Sequence, residues 1–116
     1  MESILNSVKK MLGIPDEYDV FDEQIIIHIN SVFAILSQLG VGSGKFTIEG
    51  PEEKWDDYLG TDDDLDIENV KSYVYLKVKM IFDPPSSGTA AEAFKSQISE
   101  FEWRLNAASD DWSDGI

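Results

Sequence analysis

The chain contains no cysteine and a single histidine, and these shortages exclude several kinds of site. Without cysteine there can be no disulfide and no thiolate chemistry. His28 has no second nitrogen or sulfur ligand with which to form a zinc site, and it lies off the apolar stripe of its segment, which favours a surface or interface position. We therefore expect a protein that is not an enzyme, with no catalytic residue, no cofactor and no specified metal ligand.

Basic residues are also scarce: nine stand against 23 acidic ones in 116 residues, which gives a formal charge of −14. A basic nucleic-acid footprint is therefore absent, and adhesion to an anionic membrane surface is not expected. The chain also lacks the ~20 apolar residues of a membrane span and the apolar run of a signal peptide. We expect a soluble protein of the compartment where it is made, with one domain and one core.

Four segments do carry apolar residues at helical spacing. They predict an all-α fold, a small bundle of four main helices near 2–12, 22–39, 65–82 and 89–107. Their apolar stripes predict a core of Leu5, Val8, Ile25, Ile29, Val32, Phe33, Leu36, Val70, Val74, Met80, Ile81, Phe94, Ile98, Phe101 and Leu105.

The ends of these helices are marked by residues that favour caps and turns. Gly13 ends the first helix, and Asp22, or Asp19 if the helix starts earlier, is the expected N-cap of the second. An Asp-Pro-Pro corner at 83–85 stops the third helix, because proline lacks an N–H and restricts the residue before it. Thr89 is the expected N-cap of the last helix, since a glutamate follows three residues later.

The third segment is ambiguous at its centre, because Leu76–Met80 alternates like a half-buried strand. Its full length, 65–82, is long for a strand but ordinary for a helix, and Asp64 or Asp66 can cap it. We therefore predict a helix. Its apolar residues cover more than one face, which predicts the central helix of the bundle, with a further face open to another subunit.

A long acidic connection, about 40–64, joins the second helix to the third. Ten of the 23 acidic residues lie between Glu49 and Glu68. The connection holds a strand-like piece at 45–48 and a helical turn within 51–58. A connection of this length is usually functional or disordered, and its aromatic residues argue against plain disorder.

Several apolar side chains lie where the predicted bundle does not need them. Two isoleucines of the second helix lie away from its main stripe, which fits either a wide core face or a second contact surface. Others lie in the acidic connection or near the C-terminus, and aromatic residues in such places are typical of protein interfaces. The candidate interface residues are Ile27, Ile35, Phe46, Ile48, Trp55, Tyr58 and Trp112.

The acidic C-terminal residues predict a helical domain at 1–108 followed by a flexible tail at 109–116. Trp112 has too little apolar sequence around it to offset its ordering entropy. We predict that the tail is disordered in the free subunit and folds onto a partner. The alternative is a frayed terminus whose tryptophan rests on its own domain.

Two short motifs resemble ligand-binding loops but lack required residues. Gly44-Lys45 suggests a phosphate-binding loop, yet the glycine five residues earlier and the hydroxyl residue that follows are both missing. Residues 62–66 alternate carboxylates as a calcium loop does, but Ile67 replaces the sixth-position glycine and Tyr73 the twelfth-position glutamate. Both sites are rejected, and only loose divalent-ion binding by residues 62–68 stays open.

Two portions of the chain share the pattern of a known family. Residues 4–41 comprise a short helix, Leu-Gly-Ile, an acidic turn and an isoleucine-rich helix. Residues 75–106 contain a Phe-Asp-Pro-Pro corner followed by Glu-Trp-Arg-Leu-Asn, which is the more specific part. Together these portions, some 70 of 116 residues, resemble the head–tail connector (adaptor) proteins of long-tailed bacteriophages and prophages. The connection at 42–64 and the last ten residues are not matched.

The resemblance implies a mostly helical, structural virion protein that forms a ring, typically dodecameric, beneath the portal after DNA packaging. The expected partners are the portal protein, a stopper or tail-completion protein and other copies of the chain. The expected location is the virion neck, and the host cytoplasm during assembly. DNA is expected to pass through the lumen without specific binding. The acidity fits either carboxylates that line the channel and repel DNA phosphates, or a high charge that keeps the subunit soluble before assembly. Repulsion between subunits also predicts a monomer in isolation.

The acidity is compatible with one other class of function, an acidic DNA-mimic inhibitor that occupies the basic groove of a DNA-binding protein. Its acids, however, cluster in one connection rather than along helix faces, which weighs against this alternative.

Overall fold

The structure is a computed structural model that describes residues 2–42, 45–59 and 67–114, and of residues 59 and 107–114 it describes the backbone alone. Within these ranges the chain forms no strand and five helices: α1 (Ile4–Met11), α2 (Asp22–Gln38), α3 (Trp55–Leu59), α4 (Ile67–Phe82) and α5 (Gly88–Asp114). The all-α prediction is confirmed, and the four longer helices form the predicted bundle.

Helix α4 lies at the centre of the bundle, as predicted, in contact with α1, α2 and α5. Val70, Val74 and Val78 follow each other at intervals of four, and each has 0% exposure. Tyr73 is also buried, and its hydroxyl donates to Glu102 Oε2 of α5 at 2.7 Å. The backbone is an α-helix from Ile67 to Phe82, so the helix prediction is confirmed and the strand interpretation is excluded.

The predicted core is largely confirmed, with one error in α4. Three predicted members are only partly buried: Met80, Phe94 and Phe101. Ile81 is 52% exposed, so its assignment to the core is wrong. The buried stripe continues from Val74 to Val78, and this leaves Lys77 and Ile81 at its edge rather than at its centre.

Two predicted helix caps are replaced by other residues. Helix α2 begins at Asp22, but Asp22 does not cap it, because its carboxylate lies 2.7 Å from Lys9 Nζ of α1 in an ion pair. Helix α5 begins one residue earlier than expected, so Thr89 lies inside it. Ser87 takes the capping role, and its Oγ accepts a hydrogen bond from the backbone N–H three residues on, at 3.0 Å.

Helix α5 is longer than the sequence predicted, since its backbone continues to Asp114, seven residues beyond the expected end. The backbone of 109–114 is thus helical within the segment expected to form a tail. The side chain of Trp112 lies outside the described residues, as do Asp64 and Asp66, the predicted caps of α4. The division of the chain near residue 108 stays a prediction.

Candidate protein interface

The connection between α2 and α4 is built into the core over its described residues. The side chain of Asn30 on α2 binds the backbone of the connection at Ile48. Its Nδ2 donates to Ile48 O at 3.0 Å, and its Oδ1 accepts from Ile48 N at 2.8 Å. One side chain thereby satisfies both backbone groups, as a neighbouring strand would. The strand-like piece at 45–48 forms no strand, whereas α3 supplies the predicted helical turn.

Trp55, the first residue of α3, ties the connection to α1. Its side chain is 1% exposed, and its Nε1 donates to Ser7 Oγ at 2.9 Å. The Ser7 hydroxyl donates in turn to Ile4 O, and Ile4 N donates to Glu53 O, each at 3.0 Å. A buried indole N–H needs an acceptor of this kind, so the position of Trp55 is fixed by polar as well as apolar contacts.

Three aromatic rings pack where the connection leaves α2. The Tyr58 ring stacks on Phe33 at 4.3 Å between centroids and lies 5.2 Å from the ring of Phe46. Burial raises the pKa of Tyr58 to about 12. Gly42 has a φ of +75°, and a Cβ there would lie 2.6 Å from the Tyr58 ring. Glycine is therefore required at this position by both the backbone conformation and the ring.

The structure places the predicted interface residues in three different environments. The buried ones, at 8% exposure or less, are Ile48, Trp55 and Tyr58. Those half-buried against the core are Ile35 and Phe46. Ile27 of α2 is 57% exposed, so within this group only its side chain is described and open to solvent. The buried three offer no surface to a partner in this structure, because the subunit itself covers them.

Two of the most exposed large apolar side chains, Trp103 and Val20, were not among the predicted interface residues, and Ile81 was predicted to lie in the core. Trp103 of α5 is 72% exposed, Val20 is 66% exposed and Ile81 is 52% exposed. Helical spacing could have found the first of these. Trp103 lies five residues after Ile98 and two before Leu105, which places it on the far side of α5 from that buried stripe.

Residues 13–21, here called the acidic loop, join α1 to α2 and are held by a buried lysine. Lys9 has 0% exposure, and its Nζ donates to Asp16 O at 2.9 Å while pairing with the carboxylate of Asp22. Phe21 anchors the other end, with its ring 5.2 Å from that of the last residue of α4. A buried amine is costly unless it is paired, so these contacts couple the loop to the core.

The outer surface of the acidic loop combines charge with apolar side chains. Asp16, Glu17 and Asp19 are exposed, and their carboxylates form no ion pair within the part of the chain that the structure describes. Tyr18 is 46% exposed and Val20 66%. Exposed apolar residues beside unpaired charges are suited to a protein contact.

Two open grooves run along different sides of the α4–α5 pair. One, of about 440 Å³, borders α1 and includes Met11, Tyr75 and Arg104 in its lining. The other, of about 400 Å³, is here called the lysine groove, and its lining includes Lys77, Met80, Ile81, Lys95, Ile98 and Glu102. Tyr75 and Lys77 are about 200° apart around α4, which separates the two grooves.

Among the described residues, no three His, Cys, Asp or Glu side chains are placed to hold a metal ion. Burial and the hydrogen bond to Glu102 raise the pKa of Tyr73, so its phenol stays protonated and links α4 to α5. No helix in the described ranges is long and apolar enough to cross a membrane.

Comparison with known proteins identifies a family for this chain. The family model described as phage connector protein matches residues 4–111, which include residues of all five helices. The chain belongs to the phage connector protein family. This confirms the resemblance drawn from 4–41 and 75–106, and it extends the match through the acidic connection. No curated protein and no solved structure matches the chain. Phage connector proteins are structural components of the virion, and the family is not catalytic.

Proposed function

We propose that this phage connector protein is a head–tail adaptor subunit. Copies of the chain form a ring, dodecameric in the virion, that attaches beneath the portal after DNA packaging. The ring completes the neck and allows the stopper and the tail to attach. The observation that carries this proposal is the family match over residues 4–111.

The distribution of exposed apolar residues supports a subunit with several neighbours. Val20 lies in the acidic loop, Ile27 on α2, Ile81 on α4 and Trp103 on α5, and each is more than half exposed. A ring subunit must contact a copy on each side as well as the proteins above and below it. Apolar residues on separate elements are therefore expected of such a subunit.

The charge supports a ring through which DNA passes without binding. Six basic side chains in the described part lie within 4 Å of a carboxylate: Lys9, Lys71, Lys77, Lys79, Lys95 and Arg104. With a net charge of −14, the subunit as a whole repels phosphates, even where a single amine can still bind another carboxylate. Carboxylates that line a channel repel a passing duplex.

The same charge opposes association of isolated subunits, so we expect a monomer in solution that assembles on the portal. Salt screens this repulsion, because the Debye length falls from ~8 Å at physiological ionic strength to ~3 Å at 1 M. Light scattering should therefore show more association as salt rises. A ring that is stable at low salt and dissociates at high salt contradicts this expectation.

Reconstitution tests the proposed function directly. The purified protein is mixed with portal particles and examined by electron microscopy, and the neck should gain a layer of density beneath the portal. A natively folded protein that leaves the portal unchanged contradicts the adaptor assignment.

The C-terminal residues are proposed to dock on the portal or on a neighbouring subunit. Deleting residues 109–116 should weaken portal binding, because Trp112 is lost as an anchor worth ~2 kcal/mol or more. The melting temperature of the domain should hold, which separates docking from folding. Unchanged portal binding, or a large loss of stability, contradicts a docking role.

A further inference from the structure

We propose that neighbouring copies of the chain meet when the acidic loop of one copy enters the lysine groove of the next. The proposal rests on the proposed function, since a ring requires such neighbours, and it names the two surfaces that meet. Tyr18 and Val20 are the apolar anchors on the loop. Lys77 and Lys95 are the groove residues that receive its carboxylates.

The first argument is charge complementarity. The lysine groove places two amines beside an apolar recess in a chain whose net charge is −14. Their ion pairs within the subunit are long: the Nζ of Lys77 lies 3.9 Å from a carboxylate oxygen of Glu102, and the Nζ of Lys95 lies 3.7 Å from one of Glu92. Such long contacts leave both amines able to bind a further carboxylate. A local match of this kind selects which faces meet even when the net charges repel.

The acidic loop supplies what the groove lacks. The carboxylates of Asp16, Glu17 and Asp19 are exposed and form no ion pair within the described residues. Lys9, whose Nζ binds the backbone carbonyl of Asp16, is buried and already paired with Asp22. The loop therefore offers three carboxylates that a basic surface on another molecule can neutralise.

The second argument is the match of apolar surface. The recess between the two lysines is lined by Met80, Ile81 and Ile98, and its volume is about 400 Å³. That volume lies in the range of pockets that bury small ligands, so it can admit a side chain. Tyr18 and Val20 project 46% and 66% of their surface into solvent. A central apolar contact with a charged rim is the usual anatomy of a protein interface.

The third argument is that the loop is already fixed in shape. The backbone of Asp16 is bound by the buried Nζ of Lys9, and the ring of Tyr18 lies 5.8 Å from that of Phe21, which is itself anchored on α4. A segment held in this way loses little conformational freedom when it binds. The loop is thus suited to act as the inserted element.

The two surfaces also lie on different sides of the molecule, as a ring requires. The acidic loop packs on Phe82, about 140° around α4 from Lys77 of the groove. A contact between two different surfaces is heterologous and repeats around a closed ring. The groove that borders α1 is a poorer acceptor, because it lies on the side of the loop and its arginine, Arg104, is already paired with Glu100.

Engineered cysteines test the contact, and the chain has no cysteine of its own to interfere. One chain carries Val20→Cys and a second, distinguished by a tag, carries Ile81→Cys. The two are mixed at high protein concentration under mild oxidation, so that the disulfide traps transient contacts between subunits that are monomeric at equilibrium. The mixed disulfide is measured by non-reducing electrophoresis. The matched control replaces the second chain by Ser31→Cys, an exposed position of α2 that belongs to neither surface. The expected yield is at least about tenfold above the control.

A charge exchange then decides whether the proposed residues direct the contact. Glu17→Lys with Asp19→Lys is introduced into the Val20→Cys chain, and Lys77→Glu with Lys95→Glu into the Ile81→Cys chain. Either reversal alone should lower the yield by about tenfold, whereas both together should restore it. Yields that equal the control, or that fail to recover in the double exchange, overturn the proposal.

Two further measurements keep these outcomes interpretable. Melting curves confirm that each variant is folded. If Lys77→Glu disturbs the neighbouring Glu102, the charge exchange is repeated with Lys95→Glu as the only reversal in the groove. The single exchange should show the same pattern with a smaller amplitude. Because no portal protein is present, a failed cross-link leaves the adaptor assignment intact, and a failed portal reconstitution leaves this contact intact.

Discussion

In the described residues of the connection between α2 and α4, a mostly irregular acidic segment buries most of its large apolar side chains. In the α4–α5 pair, two regular helices leave large apolar side chains in solvent. One tryptophan from each region shows the contrast, because Trp55 of the connection is 1% exposed and Trp103 of α5 is 72% exposed. Regular secondary structure therefore does not tell which apolar residues stabilise the subunit and which are free to contact a partner.

The contrast has a physical cause in the hydrogen bonds of each region. An irregular segment can be buried only if its backbone groups find partners, and in the connection Asn30 and Ile4 supply them. A helix satisfies its own backbone, so α5 needs only one apolar stripe and can expose any residue opposite to it. The connection is thus committed to the core, whereas the outer face of the helix pair is left for contacts.

The largest expected effect separates the two tryptophans. Trp55→Ala removes a buried ring and leaves the Ser7 hydroxyl without its donor, so it should lower the free energy of unfolding by about 3–5 kcal/mol. Trp103→Ala is the matched control and should change it by less than about 0.5 kcal/mol. Urea denaturation measures both. Equal losses at the two positions contradict the division of the molecule into these regions.

A second pair of substitutions makes the same comparison inside the helix pair. Ile98→Ala, at 8% exposure, should cost roughly 2–5 kcal/mol of unfolding free energy, and Ile81→Ala, at 52% exposure, less than about 1 kcal/mol. Thermal denaturation gives the ranking. If Ile81→Ala lowers the free energy of unfolding as much as Ile98→Ala does, the lysine groove is part of the core and not an open surface.

Alkaline pH tests the burial of the connection without altering its packing. The pKa of Tyr58 is about 12 when folded and about 10 when unfolded. A raised folded-state pKa stabilises the protonated form, so this contribution is complete below pH ~10. It is lost as the pH rises from about 10 to about 12, by on the order of 2 kcal/mol. Unfolding free energies measured at pH 9 and pH 11.5 should show the loss.

Tyr58→Phe should remove the part of the alkaline loss in unfolding free energy that is due to Tyr58, while the part due to Tyr73 remains. Tyr18→Phe, at a half-exposed position of the acidic loop, is the control and should leave the loss unchanged. A pH dependence that is identical in the unmodified protein and in Tyr58→Phe contradicts burial of this ring in solution.

The smallest expected effect concerns Asn30. Asn30→Ala removes both side-chain hydrogen bonds to Ile48, so the free energy of unfolding should fall by about 1–2 kcal/mol. Ser31→Ala, on the exposed side of the same helix turn, should change it by less than about 0.5 kcal/mol. Hydrogen exchange at the amide of residue 48 should accelerate in the first variant alone. Unchanged exchange there contradicts the role of Asn30 as the partner of the connection.

The helices of the bundle could be predicted because the pattern that indicates each helix lies within the sequence of that helix. Residues three and four apart share a helix face, so the stripes of α2 and α5 are visible in the sequence. The corner after α4 was predictable for a similar reason, since Pro84 and Pro85 act on their immediate neighbours. The choice of Ser87 over Thr89 as a cap depended on a shift of one residue in the start of α5, which spacing cannot resolve.

The burial of the connection could not be predicted, because its partners are distant in sequence. Ile48 is bound by a residue 18 positions earlier and Trp55 by one 48 positions earlier. An aromatic residue in an acidic segment without periodicity looks the same whether it is covered by its own subunit or by another. The burial of Lys9 was missed for the same reason, since its partners lie in the following loop and helix.

The burial of Lys9 also gives the protein a built-in chemical probe. An acylating reagent modifies an amine only when that amine is deprotonated and reaches solvent, and in the native fold Lys9 has 0% exposure. Its modification must therefore wait for a local opening that releases the acidic loop from the core. Modification rates at Lys9 can be resolved by mass spectrometry and compared with those of the more exposed lysines. They would report the equilibrium between the native acidic loop and a state in which that loop has left the core. Such a measurement follows the opening of the acidic loop while the rest of the fold stays native, which global melting cannot do.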